Sequence, residues 1–163
     1  MSKTFSDLGI QSELQKKLSS LKITKPTNVQ EKTIPLLLHK KEDVVALAKT
    51  GTGKTAAFGL PLLQLVDTEN TEIQTLILAP TRELGQQIHA NLISFVPENS
   101  KISIASICGG IPIKPQIERL KQATHIVVAT PGRLADLISR NAINIKKIHH
   151  FVLDEADEMV SAL

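Results

Sequence analysis

The sequence predicts an α/β fold in which a mostly parallel sheet is flanked by helices. Short apolar runs of strand length alternate along the chain with longer stretches of helical periodicity. Strands that are joined through helices run parallel, because right-handed crossovers return the chain to the same end of the sheet. The length of 163 residues suits one domain, and 42% hydrophobic with 21% charged residues is typical of a globular protein.

The alternation predicts five strands and four helices that follow or connect them. The strands are expected at Val44–Leu47, Thr75–Ala79, Ile102–Ile107, His125–Ala129 and Ile148–Leu153, and the helices near 54–66, 82–96, 114–122 and 133–140. Ligands of such sheets bind beyond the carboxyl ends of the strands. We therefore expect the functional residues to follow directly after each strand.

Residues 1–40 predict a helical module ahead of an α/β core over 41–163. Ser12 and Gln15 have the spacing of a capping box, and apolar residues recur from Leu14 with helical period. A second short helix is expected to begin near Thr27, and Pro35 should kink or split it.

The composition excludes several classes of protein. The single cysteine, Cys108, permits neither an internal disulfide nor a cysteine-built zinc site, and it suits a reducing, cytoplasmic setting. No apolar run approaches the ~20 residues of a membrane span, and no secretion signal precedes the first helix. The net charge is +3, and four Phe with no Trp or Tyr make base stacking on aromatic platforms an unfavoured mode of nucleic-acid binding.

A glycine-rich loop follows the first expected strand. It consists of Ala48, Lys49, Thr50, Gly51, Thr52, Gly53, Lys54 and Thr55. Glycines let backbone N–H groups surround a phosphate, Lys54 suits the β- and γ-phosphates, and Thr55 suits Mg²⁺. The strict pattern has glycine where Ala48 stands, so a plain turn before a helix is the alternative interpretation.

Two carboxylates follow the last expected strand. Asp154 would hold Mg²⁺ through its water shell, and Glu155 would orient or deprotonate the attacking water. Taken alone, this pattern equally fits an acidic turn at the start of a helix. The glycine-rich loop upstream favours a nucleoside triphosphatase site.

Two further strand ends carry residues that a nucleotide site does not require. Hydroxyls, guanidinium groups and free helix N-termini together bind phosphate well, and they occur at Pro80, Thr81 and Arg82 and again at Thr130, Pro131, Gly132 and Arg133. Gly109 and Gly110 fit the close approach of a sugar-phosphate chain. Ordinary helix capping and a plain turn are the alternatives, but both motifs beside a phosphate-binding loop favour a polynucleotide backbone.

At this point the chain resembles the first of the two RecA-like domains of a DEAD-box RNA helicase. Asp154, Glu155, Ala156 and Asp157 match the motif that names that family, and the other motifs follow in the family's order. The resemblance implies an RNA-dependent ATPase and helicase with ATP and Mg²⁺ as cofactors. It also implies binding of the RNA backbone with little sequence specificity, and a role for Asp157 in coupling the two domains.

The resemblance also gives a role to the second helix of the N-terminal module. Lys25 and Gln30 lie in a segment similar to the family's Q motif, in which Gln30 would read the edge of adenine. From the residues alone, Thr27 and Gln30 fit a capping box as well. Lys22 and Ile23 stand where the family usually has a glycine and an aromatic residue, so adenine would pack on an aliphatic side chain. Lys41 stands where a glycine usually precedes the strand before the glycine-rich loop.

The family's Ser-Ala-Thr strand and its second RecA-like domain do not occur in this sequence. That strand resembles a central one, lying between the strand before the glycine-rich loop and the strand before Asp154. Without it we expect the sheet to close the gap, to rearrange or to borrow a strand from another copy, and we expect weak turnover without unwinding. A phosphotransferase, a non-catalytic nucleotide- or RNA-binding module and a DNA-directed helicase remain the alternative functions.

Overall fold

The computed structural model describes residues 3–40 and 42–161 of the chain. Its strands are β1 (Thr75–Leu78), β2 (Ile104–Ile107), β3 (Ile126–Ala129) and β4 (His150–Leu153). Its helices are α1 (Ser12–Ser20), α2 (Asn28–Pro35), α3 (Lys54–Leu65), α4 (Arg82–Phe95), α5 (Ile113–Leu120), α6 (Pro131–Ser139) and α7 (Ala156–Ser161). A π-helical turn over Leu36–Lys40 follows α2.

The strands form one parallel sheet in the order β2-β3-β1-β4. Thr75 on β1 lies opposite Ile126 on β3 and His150 on β4, so the central strands begin in register. The prediction of a parallel sheet flanked by helices is confirmed, and four of the five expected strands form with ends within two residues of the expected ones. Because the strands are parallel, their carboxyl ends share one edge of the sheet.

The chain divides into two compact units by its contacts. The first unit comprises Met1–Leu65 and Asn91–Ser100, and the second comprises Val66–Ala90 and Lys101–Leu163. The glycine-rich loop therefore belongs to the first unit, and the whole sheet belongs to the second. The expected division into 1–40 and 41–163 stays a prediction.

The first unit is built from α1, α2, α3 and the end of α4, with α2 packed against α3. Its buried side chains include Leu8, Leu14, Leu18, Ile34, Leu60 and Leu63. The Gln64 amide joins α3 to the N-terminal segment, since its Oε1 accepts from Gln11 N–H at 2.8 Å and its Nε2 donates to Gly9 O at 2.9 Å. These bonds connect the N-terminal segment to α3 at a half-buried position.

The core of the second unit lies between the sheet and its helices. It consists of the buried residues Ile73, Leu76, Ala105, Ile107, Val127, Ala129, Leu134 and Leu137. All four residues of β3 are buried, which is expected for an inner strand that is covered on both faces.

The strand predicted at Val44–Leu47 is wrong. Residues 42–49 form no strand, and the side chains of Val45 and Leu47 are 91% and 97% exposed. A strand is stable only when a neighbour pairs with its backbone groups, and no described segment pairs with this one. The apolar pattern therefore predicted a strand, but no other strand among the described residues pairs with this segment.

Two predictions for the N-terminal helices have different outcomes. The N-cap of α1 is Gln11 and not Ser12, because Gln15 Nε2 donates to Ile10 O at 2.5 Å instead of closing a capping box. Pro35 splits the second helix as predicted, since α2 ends there and the π-helical turn begins. Lys41, one of the two departures from the family pattern, lies outside the described residues.

Candidate nucleotide and nucleic-acid sites

The glycine-rich loop of the first unit turns sharply into α3. Gly51 and Gly53 have φ values of +80° and +88°, a region that side chains disfavour. Thr52 Oγ1 donates to Lys49 O at 2.7 Å and closes the loop on itself. Gly53 O accepts from Ala57 N–H at 3.0 Å, so the helix begins directly after the loop. The first-turn N–H groups of α3 are thereby left to face an anion.

Gln30 connects the N-terminus of α2 to this loop. Its Oε1 accepts from Thr27 N–H at 3.0 Å, and its Nε2 donates to Gly53 O at 3.1 Å. Gln30 is buried, and a Cβ added at Gly53 would collide with its Nε2. Glycine is therefore favoured at position 53 by the positive φ and by the close approach of the Gln30 side chain. Gln30 therefore completes the capping box with Thr27 that the sequence allowed. The same amide also holds the glycine-rich loop through Gly53 O.

The other residues predicted to bind the nucleotide differ in how exposed their side chains are. Lys54 and Thr55 occupy the first turn of α3 and are half-buried. Lys49 and Thr50 are exposed, and Ala48 is half-buried in the unpaired segment before them. Lys25 is exposed ahead of α2. The loop thus keeps its backbone shape and its lysine at the helix start without a preceding strand.

The acidic residues of the second unit lie where β4 ends. Asp154 is buried, and its N–H donates to Leu78 O at 3.0 Å, which fixes it at the end of the ladder with β1. Glu155 is half-buried and has a φ of +53°, so the chain turns abruptly there. Asp157 is exposed in the first turn of α7. The left-handed conformation of Glu155 therefore ends the strand directly after Asp154.

The end of β1 contacts the end of β2 through an arginine. Arg82 begins α4, and its Nη1 donates to Gly110 O at 3.3 Å. Thr81 Oγ1 accepts from Leu84 N–H at 3.2 Å and caps the helix, with half-buried Pro80 before it. Gly110 has a φ of +77°, and a Cβ there would lie 3.2 Å from Arg82 Nη1.

The end of β3 contacts the same segment after β2. Thr130 Oγ1 accepts from Gly109 N–H at 3.1 Å. Arg133 donates from Nη2 to Ile111 O and from Nη1 to Gln116 Oε1, both at 2.9 Å. Pro131 and Gly132 occupy the first turn of α6 and are exposed. Arg82, Thr130 and Arg133 therefore all hydrogen-bond to residues 109–111, and Thr81 directly precedes Arg82. We call these predicted residues the strand-end cluster: Thr81, Arg82, Gly109, Gly110, Thr130 and Arg133.

Sequence reasoning missed Gln116 of α5. Its Nε2 donates to Cys108 O at 2.9 Å while its Oε1 accepts from Arg133, so one buried amide connects β2 to the arginine. The sequence carried a signal, because Gln116 occupies an i, i+3, i+4, i+7 face that is otherwise apolar in Ile113, Ile117 and Leu120. A lone amide on an apolar helix face must find hydrogen-bond partners inside the protein.

Each unit supplies a part of the predicted site by itself. The first unit brings Gln30, Gly53 and the start of α3 together, and the second brings the strand-end cluster together through hydrogen bonds to residues 109–111. Thr55 and Asp154, the predicted Mg²⁺ ligands, belong to different units. Within residues 3–40 and 42–161, no three His, Cys, Asp or Glu side chains are grouped so as to hold a metal ion.

Known proteins that resemble this chain point to one family. The family model described as DEAD/DEAH box helicase matches residues 27–162. The DEAD-box ATP-dependent RNA helicase CshA of Streptococcus pneumoniae is 45% identical over 157 residues, which cover 96% of this chain and 30% of the relative. The probable ATP-dependent RNA helicase MJ0669 of Methanocaldococcus jannaschii is also 45% identical, with 96% of this chain and 42% of the relative covered.

Two solved structures have the same fold. A DEAD box protein from the hyperthermophile Methanococcus jannaschii superposes with a TM-score of 0.91 at 40% identity, over 99% of this chain and 44% of that one. Dbp5 of S. cerevisiae, solved bound to RNA and ADP BeF3, superposes with a TM-score of 0.87 at 37% identity, over 98% of this chain and 40% of that one. The chain thus spans less than half of the length of these relatives. On its motifs, its fold and the match over residues 27–162, the chain belongs to the DEAD/DEAH box helicase family.

Proposed function

We propose that this chain is the nucleotide-binding portion of an ATP-dependent RNA helicase. The observation that carries the proposal is the strand-end cluster, in which Arg82, Thr130 and Arg133 are fixed against the backbone of residues 109–111. A small acceptor substrate would not contact a second phosphate-binding surface that extends across three strand ends. A ribose-phosphate chain is long enough to contact all three.

ATP binding is assigned to the first unit. Backbone N–H groups of the loop and the Lys54 ammonium would neutralise the phosphates, and the N-terminus of α3 adds a favourable dipole. Gln30 retains capacity for adenine, because an amide has two N–H donors and two acceptor lone pairs, of which Thr27 and Gly53 use one each. Lys25 would supply a positive charge at the entrance.

Hydrolysis is assigned to Glu155, which would accept a proton from the attacking water or orient it. The residues fit Mg²⁺ that arrives with the nucleotide. The Thr55 hydroxyl and the Asp154 carboxylate offer oxygen ligands, while the described residues contain no all-protein metal cage. Mg²⁺, when bound, supplies charge neutralisation between the phosphates.

RNA binding is assigned to the strand-end cluster together with Pro80, Pro131 and Gly132 at the two helix starts. Within the described residues, hydrogen bonds use one of the five N–H donors of the Arg82 guanidinium and two of those of Arg133. The remaining donors can reach phosphate oxygens. The bonds to Gly110 and Ile111 hold both guanidinium groups in place before RNA arrives, which lowers the entropic cost of binding.

We assign RNA unwinding to a longer protein that contains both RecA-like domains. A second RecA-like domain would complete the RNA grip, with Asp157 coupling the two domains, and unwinding would follow from closure of the domains on RNA. We place the protein in the cytoplasm on its composition. Within the described part of the chain, no helix has the length and apolarity to cross a bilayer.

Titration calorimetry with ADP–Mg²⁺ and GDP–Mg²⁺ tests the nucleotide assignment. We expect ADP to bind more tightly than GDP, Lys54→Ala to weaken ADP binding at least about tenfold, and Gln30→Ala to reduce the preference for ADP. Lys16→Ala, on the exposed surface of α1, removes the same charge and serves as the control. Equal binding of ADP and GDP to the parent chain contradicts the role of Gln30.

Fluorescence anisotropy with a single-stranded oligonucleotide tests the RNA assignment. Arg133→Lys keeps the charge but loses the fork that bonds Ile111 and Gln116, and we expect it to weaken RNA binding several-fold. Arg140→Lys, at an exposed pair with Asp136, is the matched control. Equal affinity of RNA and DNA of the same sequence would favour the DNA-directed alternative.

A second candidate function is binding without turnover. The unpaired segment at Val44–Leu47, which is exposed from Val45 onward, favours it for the chain alone, because the loop that holds the phosphates follows directly from that segment. ATPase measurements with and without RNA distinguish the two functions. RNA-stimulated release of phosphate by this chain would exclude a purely binding role.

A further inference from the structure

Gln116 is a buried amide on a helix face that is otherwise apolar. It lies on α5 and is 5% exposed, and its neighbours on the same face are Ile113, Ile117 and Leu120. A leucine or methionine of similar size would fill this position without the cost of burying a polar group. Packing alone therefore does not account for an amide at position 116.

The hydrogen bonds of Gln116 fix the orientation of its amide. Its Nε2 donates to Cys108 O, and its Oε1 accepts from Arg133 Nη1, both at 2.9 Å. Turning the amide over would place its oxygen against a carbonyl oxygen and its NH₂ group against a guanidinium, which has no acceptor. The backbone of β2's end and the arginine of α6 therefore select one orientation.

The peptide group that joins Cys108 to Gly109 is held from both sides. Its carbonyl oxygen accepts from Gln116 Nε2, and its N–H donates to Thr130 Oγ1 at 3.1 Å. Because Thr130 Oγ1 accepts this bond, the hydroxyl proton of Thr130 points away from Gly109. Gln116 therefore contributes to the placement of a hydroxyl in the strand-end cluster.

The guanidinium of Arg133 is held by two acceptors from different segments. Nη1 donates to Gln116 Oε1 and Nη2 donates to Ile111 O, both at 2.9 Å. Two acceptors fix the plane of a guanidinium, whereas a single bond lets the group rotate about that bond. Loss of the Gln116 acceptor would leave the charge of Arg133 in place but would release its orientation.

We infer that Gln116 is a positioning residue for RNA binding. It is buried, so it acts through Arg133 and the Cys108–Gly109 peptide and does not touch the nucleic acid. Fixing these groups before RNA arrives lowers the entropic cost of ordering them on the phosphates. The inference rests on the proposed RNA binding by the strand-end cluster.

Fluorescence anisotropy with a single-stranded RNA at several NaCl concentrations tests the inference. Gln116→Leu removes both bonds, so the RNA affinity should fall about three- to tenfold. The slope of affinity against salt should not change, because the charge of Arg133 remains. Arg133→Ala should lower the affinity and also flatten the slope by about 0.7. Gln122→Leu, at an exposed glutamine just after α5, is the matched control and should change neither.

A charged variant and a double-mutant cycle add two independent readouts. Gln116→Glu keeps the acceptor but neutralises Arg133, so it should flatten the salt slope although the arginine is intact. It also keeps the inference testable if Gln116→Leu does not fold. Gln116→Leu and Arg133→Ala together should weaken RNA binding by less than the sum of their separate effects, since both act on one guanidinium.

Two further measurements separate positioning from a merely structural role. The affinity for ADP–Mg²⁺ should be the same in Gln116→Leu and the parent chain, because the glycine-rich loop lies in the first unit. In NMR spectra without RNA, the Arg133 side-chain N–H signals should be resolved in the parent chain and averaged by rotation in Gln116→Leu.

Unchanged RNA affinity in Gln116→Leu overturns the inference, and so do additive effects in the cycle or an equal loss of ADP binding. These outcomes leave the proposed function intact as long as the parent chain binds RNA. A parent chain that binds ADP but no RNA contradicts the proposed RNA binding, and the inference fails with it.

Discussion

At the scale of single residues, the ends of α1 and α6 show what the backbone demands of a side chain. Both helices end in a Schellman motif. Lys22 N–H bonds to Ser19 O and Ile23 N–H bonds to Leu18 O after α1, and Asn141 occupies the equivalent position after α6. Lys22 and Asn141 have φ values of 61° and 53°. The motif favours glycine and tolerates asparagine there, whereas lysine is strained.

Replacing Lys22 by glycine is therefore expected to raise the free energy of unfolding by about 1 kcal/mol, because relief of the left-handed strain exceeds the entropy that glycine adds to the unfolded chain. Urea denaturation measures the change. Asn141→Gly is the control and should gain less, since asparagine already tolerates this conformation. An equal gain at both positions would contradict the explanation by strain.

His125 is a second residue whose environment sets its chemistry. Its Nδ1 accepts from Ser103 N–H at 2.9 Å, and among the described residues its buried Nε2 has no hydrogen-bond partner. Burial is the main cause that lowers the pKa of His125. The negative charge of Asp67 raises this pKa in part, and the positive charge of Arg119 lowers it further. The ring must stay neutral in the folded protein, because protonation of Nδ1 would break the bond to Ser103.

The stability of the chain is therefore expected to depend on pH through His125. The unfolded state binds a proton near the ordinary value of 6.5, and the folded state resists protonation. The neutral ring therefore contributes to the free energy of unfolding above pH 6.5, and this contribution is lost as the pH falls below 6.5. Urea midpoints between pH 7.5 and 5.5 should fall less in His125→Asn than in the parent chain. A fall in His125→Asn as large as that in the parent chain would contradict the role assigned to the ring.

At the scale of elements, the contact between α3 and the end of α4 depends on a glycine. Gly59 lies within α3, and a Cβ there would lie 2.5 Å from Leu92 Cδ2. Leu92 is fully buried, so it cannot move aside. Glycine costs helix stability but allows the two helices of the first unit to approach closely.

A double-mutant cycle at Gly59 and Leu92 should be strongly non-additive. Leu92→Ala is expected to cost about 2–5 kcal/mol of unfolding free energy, and Gly59→Ala alone should also destabilise. In the double variant the added methyl group fills part of the cavity and improves helix propensity, so it should be about 1 kcal/mol more stable than Leu92→Ala alone. Gly132→Ala, which meets nothing within 4 Å, controls for propensity. Additive effects would show that the contact does not limit packing.

At the scale of the whole molecule, ion pairs contribute little to folding while charge matters for binding. The ion pairs of the described residues are Lys101–Glu69, Lys121–Glu118 and Arg140–Asp136, and their side chains are 40–81% exposed. Exposed pairs of this kind contribute about 0–1 kcal/mol each. The fold is instead held by the two buried cores.

Raising NaCl from 0.05 to 0.5 M should therefore change the unfolding free energy by less than about 1 kcal/mol. Over the same range the affinity for RNA should fall steeply, because phosphate contacts release counterions. Urea denaturation and anisotropy at matched salt concentrations measure the two effects. A large loss of stability in salt, or salt-independent RNA binding, would contradict this separation.

The sequence predicted most of the fold and of the candidate site because the relevant signals are local. Alternating apolar periodicity placed β1 to β4 and the helices that follow β1, β2 and β3. Glycine and lysine spacing placed the loop and the start of α3, although the bond from Gln30 to Gly53 O could not be predicted from spacing. The residues after each strand were found in the same way, since parallel strands bring their carboxyl ends to one edge.

The tertiary structure alone decided the rest, because those features depend on partners that are distant in sequence. Val44–Leu47 has the composition of a strand, yet it stays unpaired because a ladder needs a neighbour. Gln116 became part of the strand-end cluster only when α5 brought it to Cys108 and Arg133. A sequence fixes local backbone preference and apolar pattern, whereas hydrogen bonds between separate elements exist only once packing has brought their donors and acceptors within reach.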